Sequence, residues 1–110
     1  MPLFEATRTT DRNGRDVVIV VGDLDLATAP SMVASAKAEA PTADGRPLLL
    51  ELSGVSFLDS TGLGALIEVR NVAFAVGHGV EIAAQSAAVE RVLSLAGLSE
   101  LFAVDAGDFA

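Results

Sequence analysis

LLLELSGVSFLDSTGLG, residues 48 to 64, is the stretch on which the fold turns. Leu48–Leu52, apolar except for Glu51, is a run of strand length with the composition of a strand at the centre of a covered sheet. Val55, Phe57 and Leu58 carry the chain on to Asp59. After Asp59 the apolar period changes. Leu63, Leu66, Ile67, Ala73 and Phe74 recur at helical spacing, which predicts a helix over Thr61–Val76 with that stripe facing the core. Ala65, Glu68, Val69 and Val72 fall off the stripe and are expected on an outward face. A strand thus runs straight into a helix, the first half of a crossover unit.

The same alternation extends in both directions. Upstream, Leu3–Thr9 and Asp16–Val21 read as strands joined by a turn at Asn13-Gly14, a β-hairpin. Gly22-Asp23-Leu24-Asp25 ends the second strand. A helix follows to about Ala40, with Thr28 or Ser31 as cap and Pro30 in its tolerated early position. Residues from Pro41 to Pro47 form a loop. Downstream, Gly77-His78-Gly79 stops the central helix and Val80–Ala83 is a strand. Ser86 caps a third helix over Ala87–Ala96, whose apolar face is Val89, Val92 and Leu93, and Gly97 terminates it. Leu101–Val104 is a last short strand before the tail Asp105–Ala110. The order ββαβαβαβ predicts one α/β domain over residues 1–110. Its mixed sheet has an antiparallel hairpin followed by parallel strands, joined by right-handed crossover helices.

Composition narrows the function. The chain has 110 residues, 51% of them apolar, which suits one domain with a real core. There is no cysteine, so no disulfide or thiolate site holds the fold together. With His78 as the single histidine, no metal site and no cofactor are expected. The formal charge is −8, and the seven Lys and Arg residues are scattered. Such a surface repels nucleic acid and anionic membranes, and it admits a basic protein partner. No signal-like or membrane-length apolar run is present, so a cytoplasmic location is expected.

Asp59-Ser60-Thr61-Gly62-Leu63-Gly64 sits where a strand ends and a helix begins. Binding sites gather at the carboxyl ends of strands in open α/β sheets. A helix start also presents unpaired N–H groups and a partial positive charge, which favour a phosphate. Ser60 and Thr61 have an ordinary use there as caps, and Asp59 is either a cap or a contact for a visiting enzyme. Gly62 and Gly64 cost about 1 kcal/mol each against alanine in a helix, which points to close approach of another backbone or to tight packing on the sheet.

From Leu52 to Gly64 the sequence resembles the signature of STAS-domain anti-sigma factor antagonists, and Gly22-Asp23-Leu24-Asp25 is similar to that family's second short motif. The resemblance implies a phosphoacceptor at Ser60, the serine after the aspartate. It implies partners too: an anti-sigma factor that is also a serine kinase, bound by the unmodified form, and a phosphatase that restores binding. On this reading Asp23, Asp25, Asp59, Thr61, Gly62, Gly64, Ala65 and Glu68 border the partner surface, with capping the first role for Thr61. The chain itself is then a regulator and not an enzyme. A non-switching STAS scaffold, or a subunit of a transport or signalling assembly, is the alternative within the family.

Two catalytic readings compete. A serine hydrolase needs a base, and His78 lies across roughly 24 Å of helix from Ser60. An aspartyl-phosphate receiver centred on Asp59 needs a cation at the phosphoryl group. The single lysine, Lys37, falls on the first helix.

Overall fold

The computed structural model describes residues 4–37 and 46–104. Five strands form one sheet in the order β1 (Phe4–Thr10), β2 (Asp16–Leu24), β3 (Leu48–Leu58), β4 (Val80–Gln85) and β5 (Ala103–Val104). The first pair is antiparallel and every later pair is parallel. Helices α1 (Ala29–Lys37), α2 (Ser60–Ala75) and α3 (Ala87–Ala96) make the crossovers, and a 3-10 turn, Ser99–Leu101, precedes β5. The α/β architecture expected from the sequence is therefore present.

Strand order follows chain order, so successive right-handed crossovers place their helices on one side of the sheet. The core agrees. Val18, Val20, Leu48, Leu50, Leu52, Val80 and Ile82 from one sheet face join a single cluster with Met32, Val33, Leu66, Val69, Val89 and Leu93 from the three helices. Burying a side chain of this size contributes about 1.5–3 kcal/mol.

Local chemistry fixes the ends. The Asp11 carboxylate accepts the N–H groups of Asn13 (2.8 Å) and Arg15 (2.9 Å), and Gly14 takes φ 79°, which closes the hairpin. Helix α3 starts at Ser86, whose hydroxyl accepts from Val89 N at 3.3 Å. It ends at Gly97 with φ 73°, where Leu98 N donates to Leu93 O and Gly97 N to Ser94 O. Arg8 closes α1 from outside the helix: its guanidinium donates to Ala36 O at 2.6 Å and pairs with Asp16.

Several boundaries differ from the sequence expectation. Strand β2 continues through Gly22-Asp23 to Leu24, because Gly22, Asp23 and Leu24 pair with Val55, Phe57 and Leu58 of β3. The register shift there leaves Ser56 of β3 as the extra residue, and Gly22 opposite it takes φ 106°. Strand β3 likewise passes through Ser53-Gly54 without stopping, and β5 shrinks to two residues. Leu63, Leu66 and Ala73 of the expected α2 stripe meet the core, and the rest of the stripe is shifted. Ala65, Leu66, Val69 and Ala73 face inward, whereas Phe74 is 53% exposed. The outward positions expected for Ala65 and Val69 are thus corrected: small side chains on α2 let α1 pack against it. The expected extension of α1 to Ala40, most of the Pro41–Pro47 loop and the tail Asp105–Ala110 lie outside the described residues.

Candidate functional site

The carboxyl ends of β2 and β3 lie side by side, since the two strands are parallel and paired up to Leu24 and Leu58. The turns that leave them share one apex. Asp23 stands at the end of β2 and Asp25 in the turn after it, while Asp59 joins β3 to Ser60 and Thr61 at the start of α2. The sequence expectation that these residues gather is met by the topology. The Asp59 N–H points to Leu24 O at 3.4 Å across the gap.

Asp59 caps α2. Its backbone is extended (φ −106°, ψ −172°) and its carboxylate accepts the Gly62 N–H at 2.8 Å. Leu63 N closes the first turn on Asp59 O at 2.9 Å. The cap expected of Thr61 is therefore made by Asp59, and Thr61 is the second residue of the helix. Ser60, the first helical residue, is exposed. With the cap supplied by its neighbour, the Ser60 hydroxyl is spare for other chemistry.

The two glycines of the segment separate. A Cβ on Gly62 would stand 2.2 Å from Leu24 O and 2.7 Å from Leu58 Cδ1. Gly62 is buried, and it serves the close approach of α2 to the end of β2, not an external surface. A Cβ on Gly64 would meet nothing within 4 Å. Gly64 therefore opens outward, and packing on its own sheet does not explain it.

The first turn is held by its own residues. Asp25 Oδ1 accepts from Ala27 N at 3.0 Å and from Thr28 N at 3.2 Å. Thr28 Oγ1 donates to Asp23 O at 2.8 Å and accepts from Asp25 N at 2.9 Å. Asp25 and Thr28 thus build the turn before α1. Asp23 stands beside Phe57 in the strand register.

Next to this apex, α1 and α2 enclose a groove of about 660 Å³. Leu26, Pro30, Val33 and Ala34 form one wall, and Thr61, Gly64 and Ala65 lie along the other. Lys37 and Glu68 stand at the polar margin. Ala65, only 4% exposed, belongs to the floor. Leu26 is 75% exposed and was not foreseen as a site residue. Its one sequence signal is an apolar side chain inside a polar turn. Thr61, Gly64, Ala65 and Glu68 therefore line one groove, with Ser60 on its apical side.

His78 sits beyond the far end of α2, its Nδ1 3.2 Å from Arg46 O. The structure keeps it away from Ser60 by the length of that helix. Among the described residues, no helix is long and apolar enough to cross a membrane.

Comparison with known proteins matches this geometry. The family model described as Mlab, STAS domain fits residues 8–103. An anti-sigma factor antagonist from Mycobacterium paratuberculosis is similar in structure, with a TM-score of 0.73 and 27% identity, covering 94% of this chain and 86% of that one. The antagonist SpoIIAA in its unphosphorylated form superposes with a TM-score of 0.70 at 17% identity over 93% of this chain and 89% of its own, a likeness of fold. SLC26A9 gives a TM-score of 0.58 at 25% identity, over 79% of this chain and 16% of that one. A chain whose sheet, crossovers and strand-to-helix apex run together across residues 8–103 in this way belongs to the STAS domain family.

Proposed function

We propose that this protein is an anti-sigma factor antagonist switched by phosphorylation of Ser60. In its unmodified form it binds an anti-sigma factor that is also a serine kinase, and so frees a sigma factor. The observation that carries this reading is an exposed Ser60 hydroxyl, relieved of capping by Asp59, at the head of an apolar groove. The antagonist from Mycobacterium paratuberculosis supports it by likeness.

The partner engages the apex and groove together. Leu26, Pro30 and Val33 offer apolar contact, Gly64 lets the partner approach the helix closely, and Asp59 and Glu68 receive basic side chains. Phosphate on Ser60 adds about −1.5 to −2 charges at this edge. The positive end of α2 offsets part of that charge inside the protein, so the fold persists. The docked partner gains no such relief. A loss of about 1.4 kcal/mol weakens binding tenfold, which a single modified side chain supplies without rearrangement. A phosphatase then resets the state.

Incubation with the candidate anti-sigma kinase and ATP, followed by mapping of the modified residue, tests the proposal. Phosphate on Ser60 and loss of binding are expected, and Ser60→Ala stays unmodified and binding-competent. A complex that forms with no phosphate on Ser60 refutes the switch. A second reading, a non-switching scaffold or subunit of a larger assembly, is favoured by the SLC26A9 match, where the similar region is a small part of a long chain. Stable co-purification with an assembly of that kind, unaffected by Ser60→Glu, would select it.

A further inference from the structure

The helices occupy one face of the sheet, and among the described residues none covers the other. Parallel strands are nearly always covered on both faces. The strand register lists the rows of the second face. Thr9, Val17, Leu49 and Glu81 form the first row, with Val17 and Leu49 buried; Thr7, Ile19 and Glu51 form the second, Glu5, Val21 and Gly54 the third, and Asp23 and Phe57 the last. Ile19, Val21 and Phe57 make an apolar stripe along it, 36%, 47% and 49% exposed. Val21 leans over Gly54, where a Cβ would meet its Cγ2 at 3.1 Å. The stripe is about 13 Å long, close to two and a half turns of an α-helix. Glu5, Asp23 and Glu51 frame it, all of one sign.

We infer that this second face is a docking surface for an amphipathic helix of another protein, with an apolar ridge flanked by Lys or Arg. The ridge lies along β2 on Ile19, Val21 and Phe57, and the basic flanks meet Glu5, Asp23 and Glu51. A second copy of this chain is disfavoured as occupant, since it would set those carboxylates against their own kind in a protein of net charge −8. The surface is separate from the α1–α2 groove and independent of the Ser60 switch. It lets the protein hold one partner while releasing another.

The probe is a synthetic helical peptide with leucines on one face and lysines on the other, titrated into the 15N-labelled protein. A peptide with the same lysines but glutamines for leucines is the control. Saturable shifts centred on Ile19, Val21 and Phe57 are expected with the first peptide only. Val21→Lys places a like charge against the peptide and weakens binding about tenfold, whereas Val21→Thr, which keeps the strand shape, weakens it less. Sedimentation of the free protein is expected to show a monomer. Shifts confined to Val33 and Gly64, equal shifts with the control peptide, no shifts, or a dimer abolished by Val21→Lys would each overturn the inference. None of these outcomes bears on Ser60, so the switch stands or falls on its own test.

Discussion

Gly62 and Gly64 are two residues apart on α2, and replacing each by alanine should move stability in opposite directions. Both substitutions carry the same intrinsic gain, since alanine is favoured over glycine in a helix by about 1 kcal/mol. At Gly64 nothing lies within 4 Å of the added methyl, so the gain is realised and the variant is more stable by about 0.5–1 kcal/mol. At Gly62 the methyl would stand 2.2 Å from Leu24 O and 2.7 Å from Leu58 Cδ1. Leu24 is fully buried at the end of β2, so its carbonyl has little freedom to retreat. A 2.2 Å clash with backbone falls in the upper part of the overpacking range, about 2–3 kcal/mol, so the net effect is a loss of about 1–2 kcal/mol after the helical gain. Urea denaturation at matched slope measures both variants. In a domain of this size each kcal/mol corresponds to about 4–8 °C in Tm, so the two melts should differ by roughly 6–24 °C. Equal stability of the two variants, or a Gly62→Ala protein as stable as the parent, would refute the packing account of the apex.

Asp59→Ala removes the α2 cap and should cost about 1 kcal/mol by denaturation, while Asp59→Asn retains most of it. Arg8→Ala leaves Asp16 without its partner in a nearly buried position and uncaps α1. A loss of about 3 kcal/mol is expected, well above that of Arg91→Ala, which checks that the effect is local. Thr28→Val deletes the hydroxyl that bridges Asp23 O and Asp25 N. It should cost about 1–2 kcal/mol and increase amide exchange at Asp25. Ser60→Glu should melt within about 0.5 kcal/mol of the parent while losing partner affinity, as calorimetry and a binding titration would show.

The parts of the fold legible in the sequence are those decided locally. Asn13-Gly14 announces a hairpin, Ser86 and Gly97 bracket α3, and the change of period after Asp59 marks a strand feeding a helix. What escaped depends on neighbours. Gly22 and Ser53-Gly54 look like breaks, yet each lies within a strand because the other strand pairs with it. Helix α2 is apolar around most of its circumference. Leu63, Leu66 and Ala73 do meet the core, whereas Ile67 and Phe74 only imitate a core stripe and Ala65 and Val69 pack inward in their place. The site shows the same division. The apex could be placed from motif and topology, but the wall contributed by Leu26, Pro30 and Val33 exists only because α1 folds back along α2.

The contact between Gly62 and the Leu24 carbonyl joins residues far apart in the chain. It means that the surface around Ser60 is assembled from two separate segments and has no counterpart in a linear fragment. An enzyme that recognises it must read the folded shape, and a short synthetic peptide spanning Leu58–Gly64 would be a poor substitute for the intact protein. Under the proposed switch, control of this hydroxyl would be confined to molecules that have already completed folding.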